Sequence, residues 1–305
     1  MRAKLRALLA AGALGGALLA TSPVAAALRV FACEPEWAAL AQEIAGERVS
    51  VYSATTALQD PHRIEARPSL IARIRSADLV VCTGSDLEAG WLPLLFSQSG
   101  NAKIQPGSPG YLEASRYVTR LEIPKVIDRA HGDIHPGGNP HIHLDPRNIA
   151  RVAEALAIRL AQIDPPGAEA YKAGLASFQQ RWQAALNRWE VDGARLKGVP
   201  IVVYHRDMSY LINWIGMREA GSLEPKPGIP PSPAYLAELI ERMKREPAKL
   251  VVYAAYNSPK AAEFLSARTG IPALMLPFTV GGTERARDLF GLFDDTLARL
   301  LGALK

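Results

Sequence analysis

From residue 28 onward, short apolar runs alternate with stretches of helical spacing. Residues 28–32 (LRVFA), 49–53 (VSVYS) and 79–81 (LVV) have strand length, while residues 35–44 and 69–76 place apolar positions three and four apart. This order predicts a parallel sheet, whose strands are buried on both faces and so read as apolar runs. Asp145 followed by Pro146 is an N-cap with proline in the first turn, and Ile149, Val152, Leu156, Leu160 and Ile163 repeat at helical spacing behind it. Past Pro165-Pro166-Gly167 the same spacing recurs at Tyr171, Leu175, Phe178, Trp182, Ala185 and Trp189. One helix over residues 168–195 would be roughly 40 Å long, more than a small domain needs internally. It is expected to lie against two halves as a backbone; an ordinary core helix or a coiled-coil surface is the alternative.

The α/β pattern restarts at residues 200–204 (PIVVY). It continues through a helix at 232–245, a run at 249–254, a helix at 259–269, a run at 271–276 and a terminal helix over 285–301. Residues 225–233 hold five prolines and predict an extended surface loop. The expected division is a signal peptide over 1–27, an N-terminal α/β lobe over 28–167, a linking helix over 168–197 and a C-terminal α/β lobe over 198–305.

Arg2, Lys4 and Arg6 precede an apolar run rich in Ala, Leu and Gly, with small residues at 24–27 for cleavage. That is the pattern of a secretory signal peptide, too short and wrongly flanked for a spanning anchor. No cysteine adjoins the cleavage site to take a lipid, so the mature chain is expected to start near Ala27 or Leu28 and to be periplasmic and soluble. The chain's net charge is +5, three of it in the leader, and no block of like charge remains to support nucleic-acid binding. The two cysteines, Cys33 and Cys82, would meet an oxidising compartment. RVFAC and DLVVC end in register on strands that a 2-1-3 order makes adjacent, which predicts a disulfide.

The six histidines fall in three places: His62 in QDPHRIEARPS, then His131, His135, His141 and His143 in HGDIHPGGNPHIH, and His205 in VVYHRD. His62 follows the second strand and His205 directly follows a strand of the second half. In open α/β sheets ligands collect beyond the carboxyl ends of strands, so these loops can converge on one cleft.

Three segments together resemble the zinc and manganese solute-binding proteins of ABC importers, cluster A-I. They are Asp60-Pro61-His62 with Arg67-Pro68-Ser69, Asn139-Pro140-His141-Ile142-His143-Leu144-Asp145-Pro146, and Tyr204-His205 with Tyr210; Ser258-Pro259-Lys260 and Thr269-Gly270 are weaker marks. The resemblance covers essentially the whole mature chain. It implies two lobes of parallel β/α units joined by a long rigid helix, with a metal site in the inter-lobe cleft. It also implies metal ligation by His62, His141 and His205, with His143 where the family usually has an aromatic residue. Its further implications are a membrane permease as partner and a monomeric carrier that is not an enzyme.

Three neutral imidazoles suit tetrahedral Zn²⁺ better than Mn²⁺, which prefers more carboxylates. The family's usual carboxylate ligand, at the end of the last strand of lobe two, is replaced here by Leu276. Water, Glu34, Glu284, Asp207 and His143 are the candidates for a further ligand. His131 and His135, with His143 as a lesser member, are interleaved by Gly132, Gly137 and Gly138 and are expected to form a metal-collecting loop. The alternatives are a carrier of Mn²⁺ or another divalent ion, a zinc hydrolase using an open coordination position, and a surface protein binding a host or matrix partner. No HExxH or comparable general-base motif supports the hydrolase.

Overall fold

The computed structural model describes residues 27–126, 132 and 134–304. The expected signal peptide, save its last residue, and His131 lie outside them. The first half contains β1 (Leu28–Ala32), α1 (Pro35–Ala45), β2 (Val49–Ser53), α2 (Pro68–Arg75), β3 (Leu79–Cys82), α3 (Leu92–Ser99) and β4 (Tyr111–Glu113). Its strands pair in parallel in the order β2-β1-β3-β4. α4 (Pro146–Ile163) and α5 (Ala168–Ala194) follow. The second half runs β5 (Pro200–Val203), α6 (Ser209–Ile215), β6 (Arg218–Ser222), α7 (Pro233–Arg245), β7 (Leu250–Ala254), α8 (Lys260–Thr269), β8 (Ala273–Leu276) and α9 (Leu289–Ala303). Its sheet, β6-β5-β7-β8, repeats the parallel order of the first. The chain is therefore the expected pair of parallel α/β lobes with a long helix.

Local signals explain the borders. Asp145 caps α4 by accepting from the Arg147 amide at 2.9 Å, and Ser232 caps α7 through the Tyr235 amide at 3.2 Å. Proline stands in the first turn of α1, α2, α3, α4 and α7, where its missing N–H costs no bond.

α5 packs on α1 and α4 of the first lobe and on α6 and α9 of the second. Its two glycines mark the closest approaches. A Cβ on Gly174 would collide with the Ile44 carbonyl of α1, and one on Gly193 with the Ile215 side chain of α6. Each glycine costs the helix roughly 0.5–1 kcal/mol relative to alanine, and the close approach is what it permits. Phe178, Trp182 and Trp189 of α5 form an aromatic row against Phe290 and Phe293 of α9, with Trp182 and Trp189 centroids 5.0 Å apart. Both indole N–H groups are satisfied, Trp182 donating to the Pro146 carbonyl at 2.8 Å and Trp189 to Asp294 Oδ1 at 2.6 Å.

The same apolar cluster holds Val30, Trp37 and Leu112 of lobe one, the α5 row, and Ile201, Leu250 and Phe293 of lobe two. The outer sheet faces have their own clusters, one around Phe31, Leu70 and Leu95 and one around Val202, Leu239 and Leu265. Ala32 pairs with Val81 in the β1–β3 register, so Cys33 and Cys82 stand side by side; they form a disulfide with Cα atoms 4.8 Å apart. Leu276 closes β8 with its side chain in the shared core, 1% exposed.

Candidate metal centre

His62, His141 and His205 come from three loops at the carboxyl ends of the two sheets. Their ligand atoms all lie within 4.8 Å of one another. The rings make a nearly equilateral, edge-on triangle, with centroids 5.2 Å (His62–His141), 5.7 Å (His62–His205) and 5.6 Å (His141–His205) apart.

Each ring is aimed by its own local chemistry. Asp60 Oδ1 accepts from both the backbone N–H of His62 at 3.0 Å and its Nδ1 at 2.7 Å, a side-chain-closed turn that short Asp-x-His spacing permits. Trp91 Nε1 holds the same loop by donating to the Pro61 carbonyl at 3.0 Å. His205 Nδ1 lies 2.7 Å from Glu224 Oε2. Ionised carboxylates only accept, so Nδ1 carries the proton in both rings and Nε2 is left with its lone pair for a ligand.

His141 is different. Only 1% exposed, it has no hydrogen-bond partner for either ring nitrogen. Burial first, and then the neighbouring His62, His205, His135 and His143, hold its pKa well below the ordinary imidazole value, so the ring is neutral. For His205 burial works downward too, but the Glu224 hydrogen bond and the charges of Asp207, Glu224 and Asp60 outweigh it and raise the pKa.

Asn139 explains the motif ahead of His141. Its Oδ1 accepts from the His141 amide at 3.0 Å, while its Nδ2 donates to Glu122 Oε2 at 3.0 Å and to the Arg206 carbonyl of lobe two at 2.7 Å. Tyr210 completes the clamp, its hydroxyl donating to the Asn139 carbonyl at 2.9 Å and accepting from the Leu121 amide at 3.0 Å.

The remaining candidates divide. His135, expected in a metal-collecting loop, has Nε2 3.2 Å from His62 Nε2. Two nitrogens on one tetrahedral zinc stand about 3.4 Å apart, so this proton-bridged pair already has nearly that spacing. His143 does not face the cluster. Its Nε2 donates to the Phe278 carbonyl at 2.9 Å and its Nδ1 lies 3.1 Å from Glu36 Oε1, which makes it a buried strut between the lobes.

Glu34 is held elsewhere as well. Its carboxylate accepts from the Thr83 amide at 3.3 Å and hydroxyl at 3.1 Å and lies against Glu88, a buried acid pair beside the disulfide. Glu284 is exposed, and its backbone carbonyl accepts from Arg287 Nε at 2.7 Å. Asp207 is buried near His205, taking the Tyr256 hydroxyl at 3.0 Å, but it is not in the three-histidine set.

The side chain that faces the cluster from the segment after β8 is Phe278, not Leu276. Its ring meets His141 edge-on at 5.4 Å and His143 at 4.9 Å. Phe278 and Glu224 are the functional neighbours that sequence reasoning missed. Neither belongs to a local motif, and only the Asp60-x-His62 turn could have been read directly.

A model of the zinc-uptake complex component A, periplasmic, matches residues 30–303 of this chain. The chain belongs to that family. Among relatives of component A, the zinc-binding lipoprotein AdcA of Streptococcus pneumoniae serotype 4 (strain ATCC BAA-334 / TIGR4) is 24% identical over 234 residues, covering 75% of this chain and 46% of AdcA. The manganese-binding lipoprotein MntA of Halalkalibacterium halodurans is 28% identical over 148 residues, 48% of this chain and 43% of MntA. The chain thus spans about half the length of these two relatives. A crystal structure of ZnuA superposes with a TM-score of 0.76 at 22% identity, covering 92% of this chain and all of that one, and shows the shared component A fold.

Proposed function

We propose that this chain is the periplasmic metal-capturing component of an ABC importer. It takes up one Zn²⁺ with His62, His141 and His205, His135 supplying the fourth nitrogen, and hands the ion to a membrane permease as a monomeric carrier rather than an enzyme. The observation that supports this best is the buried, neutral His141 with both nitrogens unpartnered. A buried polar group left without a partner costs about 1–3 kcal/mol, and a metal bond removes that cost for the nitrogen it engages.

An all-nitrogen donor set favours Zn²⁺ over Mn²⁺, which takes oxygen donors. With four imidazoles on one ion there is no open position for the water of a hydrolase. Mn²⁺ is the second reading, on the likeness to MntA. Titrating the purified chain with Zn²⁺ and with Mn²⁺, with elemental analysis of the product, tests the proposal. One zinc per chain and a clear preference for zinc is the expected result; no uptake of either ion, or a preference for manganese, overturns it.

A further inference from the structure

The cleft that has His141 and His205 on its floor has a volume of about 740 Å³. Sites for small organic ligands occupy this range, and one ion with its donors needs only a fraction of it. Its lining from lobe two includes Arg206, next to His205, Glu219 on β6, and Tyr235 and Arg242 on α7.

The acidic groups of the lining are largely spoken for. Glu224 holds His205 and the Gly228 amide, and Glu122 accepts from Asn139 and from the Ser209 hydroxyl. Glu219 is half-buried, and burial pushes its pKa up while Arg206 and Arg242 draw it down. Two exposed guanidiniums and one half-buried acid thus line the same cavity as His141 and His205, with Arg242 also hydrogen-bonded to the Tyr235 side chain. Guanidinium forks match carboxylates with paired N–H donors, and one donor of a chelator can take the fourth position on zinc in place of His135, leaving the other three imidazoles bound.

We propose that the ion enters this cleft as a complex with a small carboxylate-bearing chelator, the metal meeting the histidines while the chelator's carboxylate lies against Arg206 and Arg242. This rests on the reading of the histidines as a metal site and adds the form in which the cargo is taken.

Native mass spectrometry of the purified chain tests it with Zn²⁺ alone, with Zn²⁺ and L-histidine, and with Zn²⁺ and citrate, each paired with a competition titration. The expected species carries one zinc and one chelator. L-histidine and citrate separate amino-acid from hydroxy-acid chelators, and an adduct with either supports the proposal. In the R206Q/R242Q double variant zinc alone should bind as in the wild type, while chelator retention falls about tenfold or more. Should the double variant melt early, R206Q and R242Q singly serve the same comparison.

Bare zinc in every arm of the wild type, or full chelator retention in the variants, overturns the proposal. No zinc in the chelator-free arm overturns the reading beneath it as well, so the two failures are told apart.

Discussion

Glu224 Oε2 lies 2.7 Å from His205 Nδ1 and accepts the Gly228 amide at 2.8 Å. One carboxylate thus fixes both a candidate ligand ring and the start of the proline-rich loop beside it. Removing such a partner frees the ring to rotate and to change tautomer. Glu224→Ala should weaken Zn²⁺ binding about 10–100-fold, and Glu224→Gln, which keeps an acceptor, should lose less. Competition titration against a chelator of known strength reads both. Equal affinity for wild type and Glu224→Ala would mean that His205 is positioned by something else.

His141 pairs a stability cost with its proposed role as a ligand. Replacing it with Leu removes two buried, unpartnered nitrogens and keeps much of the volume. The apo protein should gain on the order of 1–3 kcal/mol, a melting temperature several degrees higher, while zinc binding falls by orders of magnitude. Calorimetry with and without metal measures both effects. A less stable apo variant would show that the nitrogens have partners in solution.

His135 and His62 are close enough to share one ion. In the zinc-loaded protein, X-ray absorption should count four nitrogens at about 2.0–2.1 Å, and His135→Ala should convert one of them to oxygen. Unchanged spectra would return His135 to the role of a passing contact, and sulfur in the shell would point to Cys33 or Cys82.

Phe278 and Leu276 make opposite substitutions. Phe278→Asp sets a carboxylate against His141 and should raise Mn²⁺ affinity relative to Zn²⁺, because manganese gains an oxygen donor. Leu276→Asp buries a charge in the shared core and should cost about 3 kcal/mol or more without tightening any metal. Paired metal titrations and urea melts separate the two, and tighter zinc binding by Leu276→Asp would contradict the placement of that side chain.

Glu34 and Glu88 lie together, buried, with the Thr83 and Gly84 amides and the Thr83 hydroxyl donating to them. Burial first, then mutual repulsion and Glu36, raise Glu34 well above the carboxylate range; burial raises Glu88 to about 7, against the hydrogen bonds it receives. For an acid whose folded pKa is raised, stability is fully present below the unfolded pKa and is lost as pH climbs through the folded one. The apo protein should therefore lose stability between about pH 4.5 and 7, by an amount on the order of 3 kcal/mol. Glu34→Gln should flatten that slope. A variant as pH-dependent as the wild type would clear the pair of responsibility.

Much of this was legible from spacing. β1 and β7 are central strands buried over most of their length, so their apolar runs stand out, and the edge strand β2 shows itself by the β-branched and aromatic residues of VSVYS. β4 and β6 are sheet edges of three and five residues, and β6 reads REAGS, with no apolar run to betray it. The cluster of His62, His141 and His205 follows from strand ends and motifs. His135 does not, because a glycine-rich loop fixes no periodicity and its approach to His62 spans 73 residues. Nor does Glu224, which meets His205 across 19 residues with nothing in the pattern to join them. That Leu276, where the resemblance expects the family's carboxylate, turns its side chain into the shared core was illegible for a related reason. Apolar alternation fixes register only within β8, and the turn through Pro277 that presents Phe278 to the histidines lies beyond it.

The core that passes from one sheet through α5 to the other has a thermodynamic consequence. Two sheets with separate cores would unfold as two calorimetric units, whereas here Trp182, Trp189 and Phe293 are buried in one cluster with residues of both lobes. Unfolding one lobe exposes the aromatic row of the other, so the free energies of the two halves are coupled. The protein is expected to melt in a single transition whose calorimetric and van't Hoff enthalpies agree, with α5 as the element that makes the two sheets one cooperative unit.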